Sequence, residues 1–105
     1  MSLYMTQFAY NPEAWSAIIK DPQRHNEMIK SLVQRLGGRL ITMYYCFGEY
    51  DKVVIFDVPD ATKATAFVLA ATLPGHLKAV ETTRLLTLDE AVSAMTTAGD
   101  LAVKV

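Results

Sequence analysis

Leu40-Ile41-Thr42-Met43-Tyr44-Tyr45-Cys46-Phe47-Gly48-Glu49-Tyr50-Asp51-Lys52-Val53-Val54-Ile55-Phe56-Asp57-Val58 is two apolar runs joined by a short turn-forming insert. Both runs are rich in β-branched and aromatic residues and have strand length. Between them, Gly48 is free to take backbone angles closed to other residues, and Asp51 can hydrogen-bond nearby amides. The stretch therefore reads as a β-hairpin. Its first strand covers Arg39 to Phe47 and its second Lys52 to Val58, closed by Pro59. In the first strand, strict alternation puts Leu40, Thr42, Tyr44 and Cys46 on one face and Ile41, Met43, Tyr45 and Phe47 on the other.

Upstream, Leu3 to Tyr10 reads as a strand, with Tyr4, Thr6, Phe8 and Tyr10 on one face and Leu3, Met5, Gln7 and Ala9 on the other. Asn11-Pro12 starts a helix whose apolar side is Trp15, Ile18 and Ile19, because Asn caps well and Pro fits the first helical position. Asp21-Pro22 interrupts and restarts it. Met28, Ile29, Leu32, Val33 and Leu36 then follow the spacing of a buried stripe, which Gly37-Gly38 ends. Downstream, Asp60 caps a helix with the stripe Ala64, Phe67, Val68 and Ala71, stopped by Leu73-Pro74-Gly75. His76 to Leu86 reads as a fourth, less apolar strand. Thr87-Leu88-Asp89-Glu90 has the pattern of a capping box, opening a last helix that Gly99 is expected to end. The alternating Leu101, Val103 and Val105 could add a short strand or simply fray.

The order strand, helix, strand, strand, helix, strand, helix is the ferredoxin-like βαββαβ pattern of the α+β class, with one helix added. Right-handed crossovers place the first and third strands centrally in an antiparallel sheet and both main helices on one face. The 105 residues form a single expected domain, core about 3–98 with a tail over 99–105. A sheet wet on one side should carry polar residues at alternate positions, and the first three strands do not. A homodimer, with two sheets face to face, would remove that apolar surface from water.

Net charge of −1 with no basic cluster argues against a nucleic-acid partner, and no polybasic or 20-residue apolar stretch suggests a membrane partner. No secretory leader is recognisable at the N-terminus. Cys46 is the only cysteine, set inside an apolar run, so a buried thiol in a reducing, cytoplasmic setting is expected. Two distant histidines make no metal motif, and Gly37-Gly38 ends a helix instead of opening a phosphate loop. No cofactor and no catalytic constellation are expected.

Six residues are candidates for lining a ligand site. Tyr50 and Asp51 could guard a pocket mouth or simply pin the hairpin. His25 borders the buried stripe of its helix and titrates near neutrality. Asp57 shares a face with Val53 and Ile55, where burial would make it a candidate base, with Gln7 and Glu81 as potential partners. Trp15 and Tyr44, with Met43 and Tyr45, could line an apolar pocket or belong to core and interface. His76 reads as a solvated strand-end residue.

These pieces together resemble the GYD-domain family. The resemblance is carried by Leu36-Gly37-Gly38-Arg39-Leu40, Tyr44 to Phe47, Gly48-Glu49-Tyr50-Asp51 with Val53, Val54 and Ile55, the break at Asp21-Pro22-Gln23-Arg24, and Thr82-Thr83-Arg84 followed by Leu88-Asp89-Glu90-Ala91. It spans about positions 4 to 98. It implies a dimeric α+β barrel of ferredoxin-like subunits and no particular reaction, since the domain is one of unknown function. Other groups that share the barrel include cofactor-independent oxygenases, lactone isomerases, small decarboxylases and ligand-sensing halves of transcription regulators. The expectation is a small homodimeric binding or accessory protein for an apolar or aromatic molecule. The alternatives are a cofactor-independent oxygenase- or isomerase-like enzyme and a purely structural dimerisation module.

Overall fold

A computed structural model describes residues 1–102. Local chemistry sets most element boundaries. β1 (Ser2–Tyr10) runs into α1 (Pro12–Lys20), whose first turn is capped by the Asn11 side chain accepting from the Ala14 amide at 3.0 Å. Asp21 repeats the device on the Arg24 amide at 3.1 Å and opens α2 (Pro22–Arg35). Gly37, at φ 77°, then ends α2: its amide reaches the Gln34 carbonyl, and the Gly38 amide reaches that of Val33. β2 (Arg39–Tyr45) and β3 (Lys52–Val58) form the hairpin. Asp60 caps α3 (Ala61–Thr72), which precedes β4 (Leu77–Leu85). Thr87 and Glu90 close a reciprocal capping box on α4 (Leu88–Leu101), and the Thr87 amide, with Arg84 nearby, holds the Glu90 carboxyl below its ordinary range.

The four strands form one antiparallel sheet in the order β2-β3-β1-β4, the expected ferredoxin-like arrangement. Side chains from β1 and β3 meet α1, α2 and α3 in one core. Phe56 and Phe67 lie 4.6 Å apart at its centre, flanked by Tyr4, Phe8, Val33 and Val54. Burying a side chain of that size contributes roughly 1.5–3 kcal/mol.

Several boundaries differ from the sequence reading. β2 stops at Tyr45, because the Cys46 amide turns to the Asp51 carbonyl at 2.8 Å and leaves Phe47 in solvent. β4 is a residue shorter at each end, and Gly99 lies inside α4, which continues to Leu101. Val103 and Val105 lie outside the described residues. Met28 and Ile19 stand largely exposed at the margins of their stripes.

The most consequential difference is a bulge. Between Leu40 and Thr42 the β2–β3 register slips by one, so Leu40 faces Phe56 while Thr42 faces Ile55. Ile41 is the extra residue, and it inverts the alternation beyond it. Leu40, Met43 and Tyr45 thus share the helix-covered face, where strict alternation separates Leu40 from the other two. Thr42 and Tyr44 go to the opposite face.

That opposite face carries Leu3, Met5, Val53, Ile55 and Tyr44, none of them fully buried. α4 buries no residue at all and exposes Leu88, Val92, Met95 and Leu101. The molecule is elongated, 58 × 29 × 21 Å. Among the described residues no helix is long and apolar enough to cross a membrane.

Candidate ligand-binding cleft

A cleft of about 470 Å³ opens where the end of β1 meets α1, α2 and α3. Its wall is mostly apolar: Phe8, Ile18, Ile29, Leu32, Phe67 and Ala71. The geometry follows from small residues on the helices. Ala14 and Ala17 on α1 and Ala70 and Ala71 on α3 leave space that larger side chains would fill. Its rim carries Lys20, Asp21, Arg24 and His76.

One polar pair stands in this wall. The Tyr10 hydroxyl and His25 Nε2 are 3.0 Å apart, with the rings edge to face at 5.5 Å. The direction of that hydrogen bond follows the imidazole tautomer. Tyr10 is fixed from three sides: Trp15 meets its ring edge-on at 5.6 Å, Phe8 stacks at 6.1 Å, and its amide donates to Asp51 Oδ2 at 2.9 Å. Burial raises the Tyr10 phenol well above its ordinary range, with the charges of Tyr45 and Asp51 adding to the effect. Burial, and then the nearby Lys52 charge, push His25 down to about 4. At neutral pH the cleft therefore presents a neutral imidazole beside a neutral phenol, a pair able to donate or accept a hydrogen bond from a ligand's polar end.

The sign of the His25 shift sets a pH dependence. Its folded value of about 4 lies below the ordinary 6.5, so the unfolded chain binds the extra proton between those limits. Stability is expected to be full above pH 6.5 and to fall as pH drops to 4. His25 is only partly buried, so solvent screening limits the loss to about 1–2 kcal/mol. Urea unfolding of the wild type and of His25→Phe at several pH values checks this: the variant should lose that component of the slope.

The six sequence candidates do not converge. His25 lines the cleft. Trp15 stands behind Tyr10 and contacts Tyr45 at 6.1 Å, without reaching the main cleft. Tyr44 is 64% exposed on the far face of the sheet. The Tyr50 hydroxyl donates to Glu81 at 3.1 Å, which raises its phenol's proton affinity. Asp51 acts as a staple: its amide donates to the Phe8 carbonyl at 2.7 Å while its side chain holds the Tyr10 amide. Asp57 pairs with Arg39 at 3.1 Å, not with Gln7 or Glu81, and its other oxygen, Oδ1, is buried without a partner. Gln7 pairs in register with Val53 and Glu81, well along β1 from Asp57.

Three residues that matter are absent from the sequence candidates: Tyr10, Asn26 and Lys52. Lys52 had a signal. It alternates in phase with Val54, Phe56 and Val58, all fully buried, so a lysine was placed on the core face of a central strand. Among the described residues, no three His, Cys, Asp or Glu side chains come together as metal ligands.

Fold and cleft define a ferredoxin-like α+β sheet protein with an apolar cavity at one end of its helical layer. The chain belongs to the GYD domain family, which it matches over residues 4–95. It is also similar to two solved structures at the level of fold. The crystal structure of MtbAldR matches with a TM-score of 0.60 and 15% identity over 82% of this chain, which spans about half (53%) of MtbAldR's length. That of FFRP-DM1 matches with a TM-score of 0.53 and 13% identity, covering 82% of this chain and 100% of the other. No curated protein matches the chain.

Proposed function

We propose that this GYD-domain protein is a small homodimeric, cytoplasmic binding protein that holds a small apolar or aromatic molecule in the cleft beside Tyr10 and His25. The cleft itself carries this reading: it combines an apolar wall with a single hydrogen-bonding pair, the usual composition of a small-molecule site. An aromatic ligand bearing one hydroxyl or carbonyl would place that group on His25 and its ring against Ile29 and Phe67.

Native mass spectrometry of freshly purified protein tests for a retained ligand, and titration with 1-naphthol measures binding directly. Ala71→Phe fills the cleft from α3 and is expected to weaken 1-naphthol binding by about tenfold or more, since the ring takes the ligand's place. Equal affinity in wild type and variant would remove the cleft from consideration.

The homodimer reading draws on the apolar sheet face opposite the helices and on the unburied side chains of α4. An oxygenase- or isomerase-like activity is the second reading, favoured by one observation only: the neutral imidazole of His25 beside a phenol in an apolar wall, a base that a substrate could reach. Of the residues considered for proton transfer, His25 alone faces the cleft; Tyr50 and Asp57 are engaged elsewhere.

A further inference from the structure

Lys52 opens β3 on the core face of the sheet and is only 1% exposed. Its ammonium donates to Asn26 Oδ1 at 2.8 Å and, more weakly, to the Tyr45 hydroxyl at 3.5 Å, and it lies 4.5 Å from the centre of the Tyr45 ring. An ammonium has three donors, and here its partners are a neutral amide, a distant phenol and a ring face. Among the described residues the carboxylate ion pairs are Arg39 with Asp57 and Arg84 with Glu90, and neither involves Lys52. A buried cation without an anion is costly, and buried charges are as a rule paired. One escape is loss of the proton. Burial does lower Lys52, to about 8, yet that leaves most of it charged at neutral pH.

Beside this ammonium lies a second, smaller cleft of about 170 Å³, bounded by Asn26, Met43, Tyr44, Tyr45 and Lys52. It shares no lining residue with the larger cleft. Asn26 commits its Oδ1 to Lys52, which leaves its amide N–H groups for another acceptor. Met43 and Tyr45, on the same face of the sheet, provide polarisable surface for an apolar body.

We propose that Lys52, Asn26 and Tyr45 form a separate site for a small carboxylate anion, with one carboxylate oxygen on the Lys52 ammonium and the other on the Asn26 amide. The ligand's apolar body lies against Met43 and the Tyr45 ring, which share the helix-covered face with Lys52. The anion supplies the partner that the buried cation lacks, and binding holds Lys52 in its charged form.

Benzoate and its neutral isostere benzamide are the probes, followed by NMR of the lysine Cε and methionine methyl groups. Saturable benzoate shifts at Lys52 and Met43 are expected, with benzamide at least about tenfold weaker because it lacks the charge. Lys52→Met should abolish benzoate binding. Asn26→Asp places a carboxylate against Lys52 within the chain and should likewise exclude benzoate, with the fold kept by a new ion pair, so the test survives if Lys52→Met fails to fold. Equal shifts with benzoate and benzamide, benzoate affinity unchanged in either variant, or no response at Lys52 would overturn the proposal. Shifts confined to Lys20 and Met28, which line the larger cleft, would do so too, while leaving that cleft's reading intact.

Discussion

Gly38→Ala is expected to destabilise the protein by about 3 kcal/mol, the upper part of the range for overpacking a rigid site. A Cβ at position 38 would run into the Asp57 carbonyl oxygen and come within 2.6 Å of Val58 Cγ1. Neither neighbour can yield cheaply. The first is backbone in β3, held by β1 and β2 on its two sides, and the second is fully buried in the core. Gly38 is thus the point where the chain, leaving α2, passes close enough to β3 to begin β2. The adjacent Gly37→Ala makes a useful comparison. It would meet only Pro59 at 3.6 Å, but at φ 77° the alanine is strained, which costs about 1–2 kcal/mol. Urea unfolding of the two variants should rank Gly38→Ala clearly below Gly37→Ala. A reversed order would mean that the close approach to β3 relaxes more easily than the geometry implies.

Ile55→Arg is expected to convert a dimer into monomers. Ile55 lies at the middle of the sheet face away from the helices, opposite Met5 on β1 and Thr42 on β2. If two sheets pack through this face, an arginine at its centre places an unpaired charge in the interface and weakens association by roughly a hundredfold or more. In an isolated subunit the same side chain would reach solvent, so unfolding of the monomer should change by less than about 0.5 kcal/mol. Sedimentation velocity across a concentration series measures both forms. A wild-type protein that sediments as a monomer at micromolar concentration, or a variant that dimerises as well as wild type, would count against this interface.

The parts of the fold that were readable from sequence are those set by local chemistry. Asn11, Asp21, Asp60 and Thr87 each cap the helix they precede, because a short oxygen-bearing side chain meets amides two or three residues on. β3 begins and ends where expected because Asp51 and Pro59 bound it. The Ile41 bulge was not readable. Both alternating sets of the strand are mostly apolar, so nothing in the pattern marks which residue is extra, and strict alternation groups Leu40 with Thr42 and Tyr44 instead of with Met43 and Tyr45. The site was less legible than the fold for a related reason. His25 becomes notable only through Tyr10, which sits fifteen residues earlier at the end of another element. Tyr50 and Asp51, the most conspicuous residues in the sequence, hold a hairpin against β1 and β4. Lys52, next to them, is where a polar group enters the core, and its phase with Val54 and Phe56 was the available sign.

α4 has a consequence for how the chain behaves over time. Its fourteen residues carry a good N-terminal cap and bury nothing. A helix of that length is marginal on its own in water, whereas the Phe56–Phe67 core unravels only with the whole protein. Amide exchange should therefore divide the molecule into two clocks, a slow one over β1, β3 and α2 and a fast one over α4. The fast clock should slow down only when something comes to rest against Val92 and Met95, which makes the last helix a built-in reporter of association.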